Sequence, residues 1–176
     1  TLNYIQDDGQ SLTPNEPGIE DKTLVANILK DNIVQSDSNI DFREISSETN
    51  GKGLYYTNIN TEDNKVTYYY RGAVENNYVS FAGYYWRIIR INEDSSIRLI
   101  YQGTTPTATE SVATIGVFNE EYNDNAYIGY MYGTPGSSTY KETHANVNDS
   151  TIKGVLDSWY EENLLDNYAT YLADSG

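Results

Sequence analysis

Between Gly53 and Gly103 the chain keeps a cadence that points to a meander of short antiparallel strands. Runs rich in Tyr, Val, Ile and Thr lie at Leu54 to Thr57, Val66 to Arg71, Tyr78 to Ala82, Tyr84 to Asn92 and Ser96 to Gln102. Turn-forming stretches separate them at Asn58 to Asn64, Glu75 to Asn77 and Glu93 to Ser95. The pair Tyr84 to Ile91 and Ser96 to Tyr101 is the most hydrophobic stretch and reads as the core hairpin.

Either side of this block the texture is helical or irregular. Thr1 to Gly18 carries Asp7, Asp8, Gly9, Pro14 and Pro17 with few apolar anchors, and reads as an extended or flexible leader. From Ile19 to Asn32, Leu24, Val25, Ile28 and Leu29 recur at helical spacing behind Glu20 and Asp21. Ser36 to Lys52 reads as a long loop with a short turn at Asp41 to Ile45. Further on, Thr114 to Phe118 and Ala126 to Tyr132 are expected to be short strands, and Gly133 to Thr139 a turn region. Ile152, Val155, Leu156, Trp159 and Tyr160 then mark a helix opened by Asn148, Asp149 or Ser150 as cap. A second short helix is expected from Leu164 to Ala173, its end suited by Gly176 rather than by a closing strand.

These elements predict the α+β class: an antiparallel sheet of about five to seven strands, an N-terminal helix and a C-terminal helical pair covering one face. At 176 residues the expected organisation is a leader over 1–18 and a single domain over 19–176. Thr1 as first residue suggests a processed or trimmed chain. No run reaches the roughly 20 apolar residues of a membrane span.

Charge and composition narrow the chemistry. The chain has no cysteine, which removes thiolate catalysis, disulfides and Cys-ligated metals. With 26 acidic side chains against 11 basic ones, a net charge of −15 opposes nucleic acid. Tyr at 18 against Phe at 3, among abundant Asn, Ser and Thr, favours a wet aromatic surface of the kind found on extracellular binding modules.

No catalytic constellation stands out. His144 is the only histidine, in a polar stretch where a loop or capping role competes with ligand contact. Glu120-Glu121 and Glu161-Glu162 read as solvated charge rather than a glycosidase pair, which needs two carboxylates across a cleft. No cofactor is expected, with calcium left open at Asp7-Asp8, Asn119 to Asn125 and Asn146 to Asp149, where Asn/Asp-rich turns are the competing account. Arg71, Arg87, Arg90 and Arg98 cluster in the β-rich block. They suit either internal pairing with the surplus acids or an anionic ligand such as an acidic sugar or a peptide carboxylate. Tyrosine doublets on strands must split between the two faces, so about half of these rings should reach the surface. The expected ligand-binding residues are Tyr55, Tyr69, Tyr85, Arg87, Arg90 and Tyr130.

The run Tyr69-Tyr70-Arg71-Gly72 through Tyr84-Tyr85-Trp86-Arg87-Ile88-Ile89-Arg90-Ile91 to Tyr101 resembles the core of an uncharacterised family of predicted surface proteins from Gram-positive gut bacteria. Tyr127 to Gly133 and Thr143 to Tyr160 resemble its later blocks, so that the likeness runs from Thr23 onward. The resemblance implies a secreted or membrane-anchored protein that continues past Ala173 to Gly176, often through a Cys-containing segment, and hence a chain truncated at its C-terminus. More remotely, the Trp-Arg strand, hairpin and Trp-bearing helix are similar to lectin-like domains related to the formylglycine-generating enzymes. The catalytic cysteines of that enzyme branch have no counterpart, which implies binding rather than catalysis.

The function expected is a non-enzymatic extracellular module of a bacterial cell surface, for adhesion or for binding glycan or surface protein. The alternative is a self-associating structural subunit of a surface filament or pilus-like assembly, joined through the leader and strand edges. A hydrolase comes third, on the surplus of carboxylates alone.

Overall fold

The computed structural model describes residues 2–4, 23–47, 51–57, 66–109, 113–121 and 123–173. In chain order its strands are β1 (Leu2–Tyr4), β2 (Val34–Ser36), β3 (Gly53–Thr57), β4 (Thr67–Arg71), β5 (Tyr78–Phe81), β6 (Tyr84–Ile91), β7 (Ile97–Gly103), β8 (Met131–Tyr132), β9 (Asn148–Asp149) and β10 (Leu172–Ala173). Its α-helices are α1 (Leu24–Asp31), α2 (Tyr140–Thr143), α3 (Thr151–Tyr160) and α4 (Asp166–Tyr168). The chain gathers into two compact units, Thr1–Ser111 with Thr170–Gly176, and Val112–Ala169.

The first unit is an eight-stranded sheet in the order β10-β1-β7-β6-β4-β3-β2, with β5 also paired to β6. Its pairings are antiparallel except that of β2 with β3. Together with α1 and the C-terminal helical segment, this is the α+β architecture expected. β3 to β7 match the five predicted strands to within one residue at each end. β2 and β10 were not expected. The Leu2–Tyr4 part of the leader is a strand between β7 and β10, and the rest of that leader lies outside the described residues, as do the acids Glu20 and Asp21 assigned to the helix start.

Side-chain alternation builds the core. On one face, the cross-strand pairs Ile91 with Ile97, Ile88 with Leu99 and Trp86 with Tyr101 place apolar groups side by side, and all but Tyr101 are buried, as is Leu54 of β3. Helix α1 adds buried Ile28. Thr23 starts this helix, its hydroxyl accepting from Ala26 N–H at 3.2 Å, and the Asn32 amide stops it by donating to the Ile28 carbonyl at 2.8 Å. A groove of about 410 Å³ remains, lined by Leu29, Val34, Tyr56, Val66 and Tyr68.

The second unit departs further from expectation. Thr114 to Phe118 is not a strand. The Phe118 carbonyl instead accepts from Ile152 N–H at 3.1 Å and the Asn119 side-chain oxygen from Thr151 N–H at 3.2 Å. Those are donors that the first turn of α3 leaves without helical partners, so the segment caps a helix where it was expected to pair in a sheet. In Ala126 to Tyr132 only β8 is extended, because the Asp124 carboxylate accepts from Ala126 N–H at 2.8 Å and winds Asn125–Tyr127 into a 3₁₀ turn. The expected helical pair is one continuous run. Helix α3 passes into a π-helical turn at Glu161–Leu165, then α4 and a 3₁₀ turn at Ala169–Tyr171. The Asn163 amide donates at 2.8 Å to the Trp159 carbonyl, the acceptor its own N–H would take in an α-helix, and so competes with regular geometry there. The run ends at Tyr171, and the helix expected to reach Ala173 gives way to the closing strand β10.

Ser150 caps α3: it is buried, and its hydroxyl accepts from Lys153 N–H at 3.1 Å. Ser150→Ala removes that acceptor from an enclosed position, and a loss of about 1–2 kcal/mol is expected by urea unfolding. A change below about 0.3 kcal/mol would mean that water replaces the cap.

Candidate functional site

The face of the sheet opposite the core carries the predicted polar and aromatic residues. Register places Gln35, Tyr55, Tyr69, Arg90 and Arg98 in one row across β2, β3, β4, β6 and β7. Strict alternation would send Arg87 and Arg90 to opposite faces. A register shift between Ile88 and Arg90 makes Ile89 an extra residue, and it returns Arg87 to the face of Arg90, opposite Ile100. Four of the chain's arginines, Arg71, Arg87, Arg90 and Arg98, therefore share this face.

Its β3–β4 end is covered by the segment after β2. Tyr55 is only 5% exposed, with its ring centroid 6.1 Å from that of Tyr69. It packs inside the unit, so its expected place on an exposed ligand-binding face is corrected. The Tyr69 hydroxyl donates to Asp37 at 3.2 Å, and Arg71 donates to the Glu44 carbonyl at 2.9 Å while lying over the Phe42 ring. Burial first, and then the Asp37 carboxylate, push the Tyr69 phenol from its ordinary 10 up to about 12. The folded state thus favours the neutral phenol. The stability it contributes is complete below pH about 10 and is lost as pH rises towards 12. We expect wild-type urea midpoints to fall over that interval by the equivalent of about 1–2 kcal/mol more than those of Tyr69→Phe, the shift being discounted for partial exposure. Parallel pH profiles for the two proteins would refute the assignment.

Arg87 is spent on the framework. Its Nε donates to Gln102 at 2.9 Å, its Nη1 to the Val74 carbonyl at 3.2 Å and Asn77 at 3.3 Å, and its Nη2 to the Tyr78 hydroxyl. The guanidinium also lies 4.4 Å from the Tyr78 ring centroid. Neutral oxygens bond it, and among the described residues no acid is a partner. It ties β5, β6 and β7 together, which leaves it little to offer a ligand.

Arg90 and Arg98 are different. They face each other directly across β6 and β7. Among the described residues Arg90 has one long contact, Nη2 to Glu93 at 3.5 Å, with both side chains more than a third exposed. Arg98 has no hydrogen bond or ion pair among the described residues, and the Nε of each arginine is buried without a partner. Beside them Ile100 is 54% exposed. Arg98 was recognised as one of the four clustered arginines but not as a site residue. The hairpin pairing across Glu93 to Ser95 was the signal that could have identified it.

The remaining expectations scatter. Tyr85, two residues before Arg87 on β6, keeps to the arginine face and is half-buried opposite Ser80 on β5. Tyr130 is 45% exposed but belongs to the second unit, where Lys153 Nζ stands 6.0 Å from its ring centroid. His144 is exposed and ends α2, stacked on Tyr140 at 4.1 Å with Nδ1 3.0 Å from the Tyr140 carbonyl. Glu120, Glu121, Glu161 and Glu162 are solvent-exposed. Asp41 and Glu142 are both held below the ordinary carboxylate range, by hydrogen bonds from Arg43 and from Ser137 and Thr139 respectively. That is the opposite direction from a proton donor. Within Asn119 to Asn125, Asn119 and Asp124 serve the backbone, the Asn119 amide donating to the Tyr127 carbonyl at 2.6 Å and the Asp124 carboxylate accepting from Ala126 N–H at 2.8 Å. Among the described residues no group of three or more His, Cys, Asp or Glu could hold a metal ion, and no helix is long and apolar enough to cross a membrane.

Comparison with protein-family models, curated proteins and solved structures returned no match.

Proposed function

We propose that this chain is a non-enzymatic binding module of a bacterial cell surface, taking a glycan on the β6–β7 part of the arginine–tyrosine face of its sheet. One observation carries the reading. The bulge at Ile89 gathers Arg87, Arg90, Arg98 and Ile100 on the face turned away from the core, and the β6–β7 part of that face combines cationic forks with exposed Ile100. Such a mixture suits recognition without bond-breaking, since aromatic and apolar groups accept sugar faces and guanidinium groups fix orientation. An extracellular setting is supported by the excess of Tyr over Phe among abundant Asn, Ser and Thr, and by the resemblance to surface proteins.

A glycan array probed with the soluble chain, with and without EDTA, tests this. Binding that falls in Tyr85→Ala and Arg98→Gln supports the sheet face, and EDTA sensitivity would add calcium to the proposal. If no glycan binds and the chain elutes as large assemblies, the filament-subunit reading takes its place.

A further inference from the structure

We infer that Arg90 and Arg98 form a clamp for the carboxylate of an acidic sugar. The inference rests on the glycan-binding reading above and specifies its ligand. Like charges directly opposite on adjacent strands repel, yet this chain, with 26 acidic residues to draw on, sets two arginines directly opposite in register and, among the described residues, supplies them one carboxylate, Glu93, at 3.5 Å from Arg90. Among the described residues Arg98 has no acceptor and Arg90 has only Glu93. A carboxylate between the two forks would relieve the repulsion, and its two oxygens match the planar donor geometry of arginine.

Charge decides what sort of molecule brings that carboxylate. A net charge of −15 repels a densely anionic partner such as nucleic acid or an acidic polypeptide segment. A single carboxylate on an otherwise neutral body avoids that repulsion and is attracted by the local cationic pair. The neighbouring surface fits such a body: Ile100, two residues from Arg98 on the same face of β7, is 54% exposed. A glycan with one uronate or sialate unit has this chemistry.

Titration calorimetry of the soluble chain with sialyllactose and with a glucuronate-terminated disaccharide, each against its methyl ester, distinguishes the outcomes. At least one acid should bind about tenfold or more tightly than its ester, and the advantage should shrink as salt rises. Arg98→Gln should lower affinity for that acid by about 10- to 100-fold and leave the ester unaffected. Glu93→Gln, which removes the competing carboxylate, should tighten acid binding. Which acid responds identifies the sugar class. Equal binding of acid and ester, or wild-type affinity in both Arg98→Gln and Arg90→Gln, overturns the clamp. If neutral glycans bind and Tyr85→Ala weakens them while the arginine variants do not, the clamp falls and the sheet face stands. If no saccharide binds at all, both fall.

Discussion

Gly133→Ala is expected to destabilise the second unit by upwards of about 3 kcal/mol. The reason is close approach, not an unusual backbone angle. Gly133 N–H donates to the Thr143 carbonyl at 3.1 Å, Thr134 N–H to the Glu142 carbonyl at 2.8 Å, and the Asn148 amide to the Gly133 carbonyl at 2.8 Å. This lays the backbone after β8 directly on the last turn of α2. A Cβ at Gly133 would stand 2.6 Å from the Thr143 carbonyl oxygen and closer still to the Thr143 carbonyl carbon and the Glu142 carbonyl oxygen. All three are main-chain atoms, so no rotamer change makes room. Loss of hydrogen-exchange protection at Gly133, Thr134 and Val147, with a lowered melting temperature, is the expected result. A variant melting within about 1 °C of wild type would show that the contact is looser than described. Gly136 is the control, since a Cβ there meets nothing within 4 Å; its φ of +74° limits an Ala substitution to the cost of a left-handed backbone.

The strands between Gly53 and Gly103 were legible because each is a short β-rich run bounded by turn formers, and tertiary structure did not have to overrule the local signal. Where the reading failed, a long-range partner decided the matter. Thr114 to Phe118 has β-like composition, but the N-terminus of α3 claims its carbonyl and the side chain of Asn119. Helix α2 was readable and missed. Thr139-Tyr140-Lys141-Glu142 has the spacing of a capping box, and the Thr139 hydroxyl both accepts from Glu142 N–H at 3.3 Å and donates to its carboxylate at 2.8 Å. Closing strand β10 had no local signal, because two residues become a strand only when β1 lies alongside.

For the candidate site, alternation correctly implied that the tyrosine doublets divide between faces, yet it could not say which half was covered. Tyr55 faces away from the core and is nonetheless enclosed, because the residues after β2 lie over its end of the sheet. The grouping of Arg87 with Arg90 was hidden for another reason. A bulge changes the face of every residue beyond it, and nothing in Arg87-Ile88-Ile89-Arg90 marks Ile89 as the extra residue. Arg98 needs no bulge, since counting back from the Glu93 to Ser95 turn sets it opposite Arg90.

Trp86→Ala should cost about 4–5 kcal/mol, a large part of the 5–15 kcal/mol that holds a domain together. Trp86 is 2% exposed on β6, which is paired with β5 on one side and β7 on the other. Its ring meets Tyr101 edge-on at 5.4 Å and Tyr84 at 6.4 Å, while Nε1–H donates to the Phe81 carbonyl at 2.9 Å. Truncation therefore opens a cavity, removes two aromatic contacts and deprives a carbonyl of its donor. Trp86→Phe separates these contributions, since it keeps most of the volume and loses the hydrogen bond, for an expected cost of about 1–2 kcal/mol. Trp159 is the only other tryptophan and lies in the second unit, so urea unfolding of wild type and both variants is followed by far-ultraviolet circular dichroism rather than by fluorescence. Should Trp86→Phe prove as damaging as Trp86→Ala, the hydrogen bond to Phe81, which fixes the turn between β5 and β6, would outweigh the packing. The mouth of the sheet face beside β7 would then owe its shape to that bond as much as to the core beneath it.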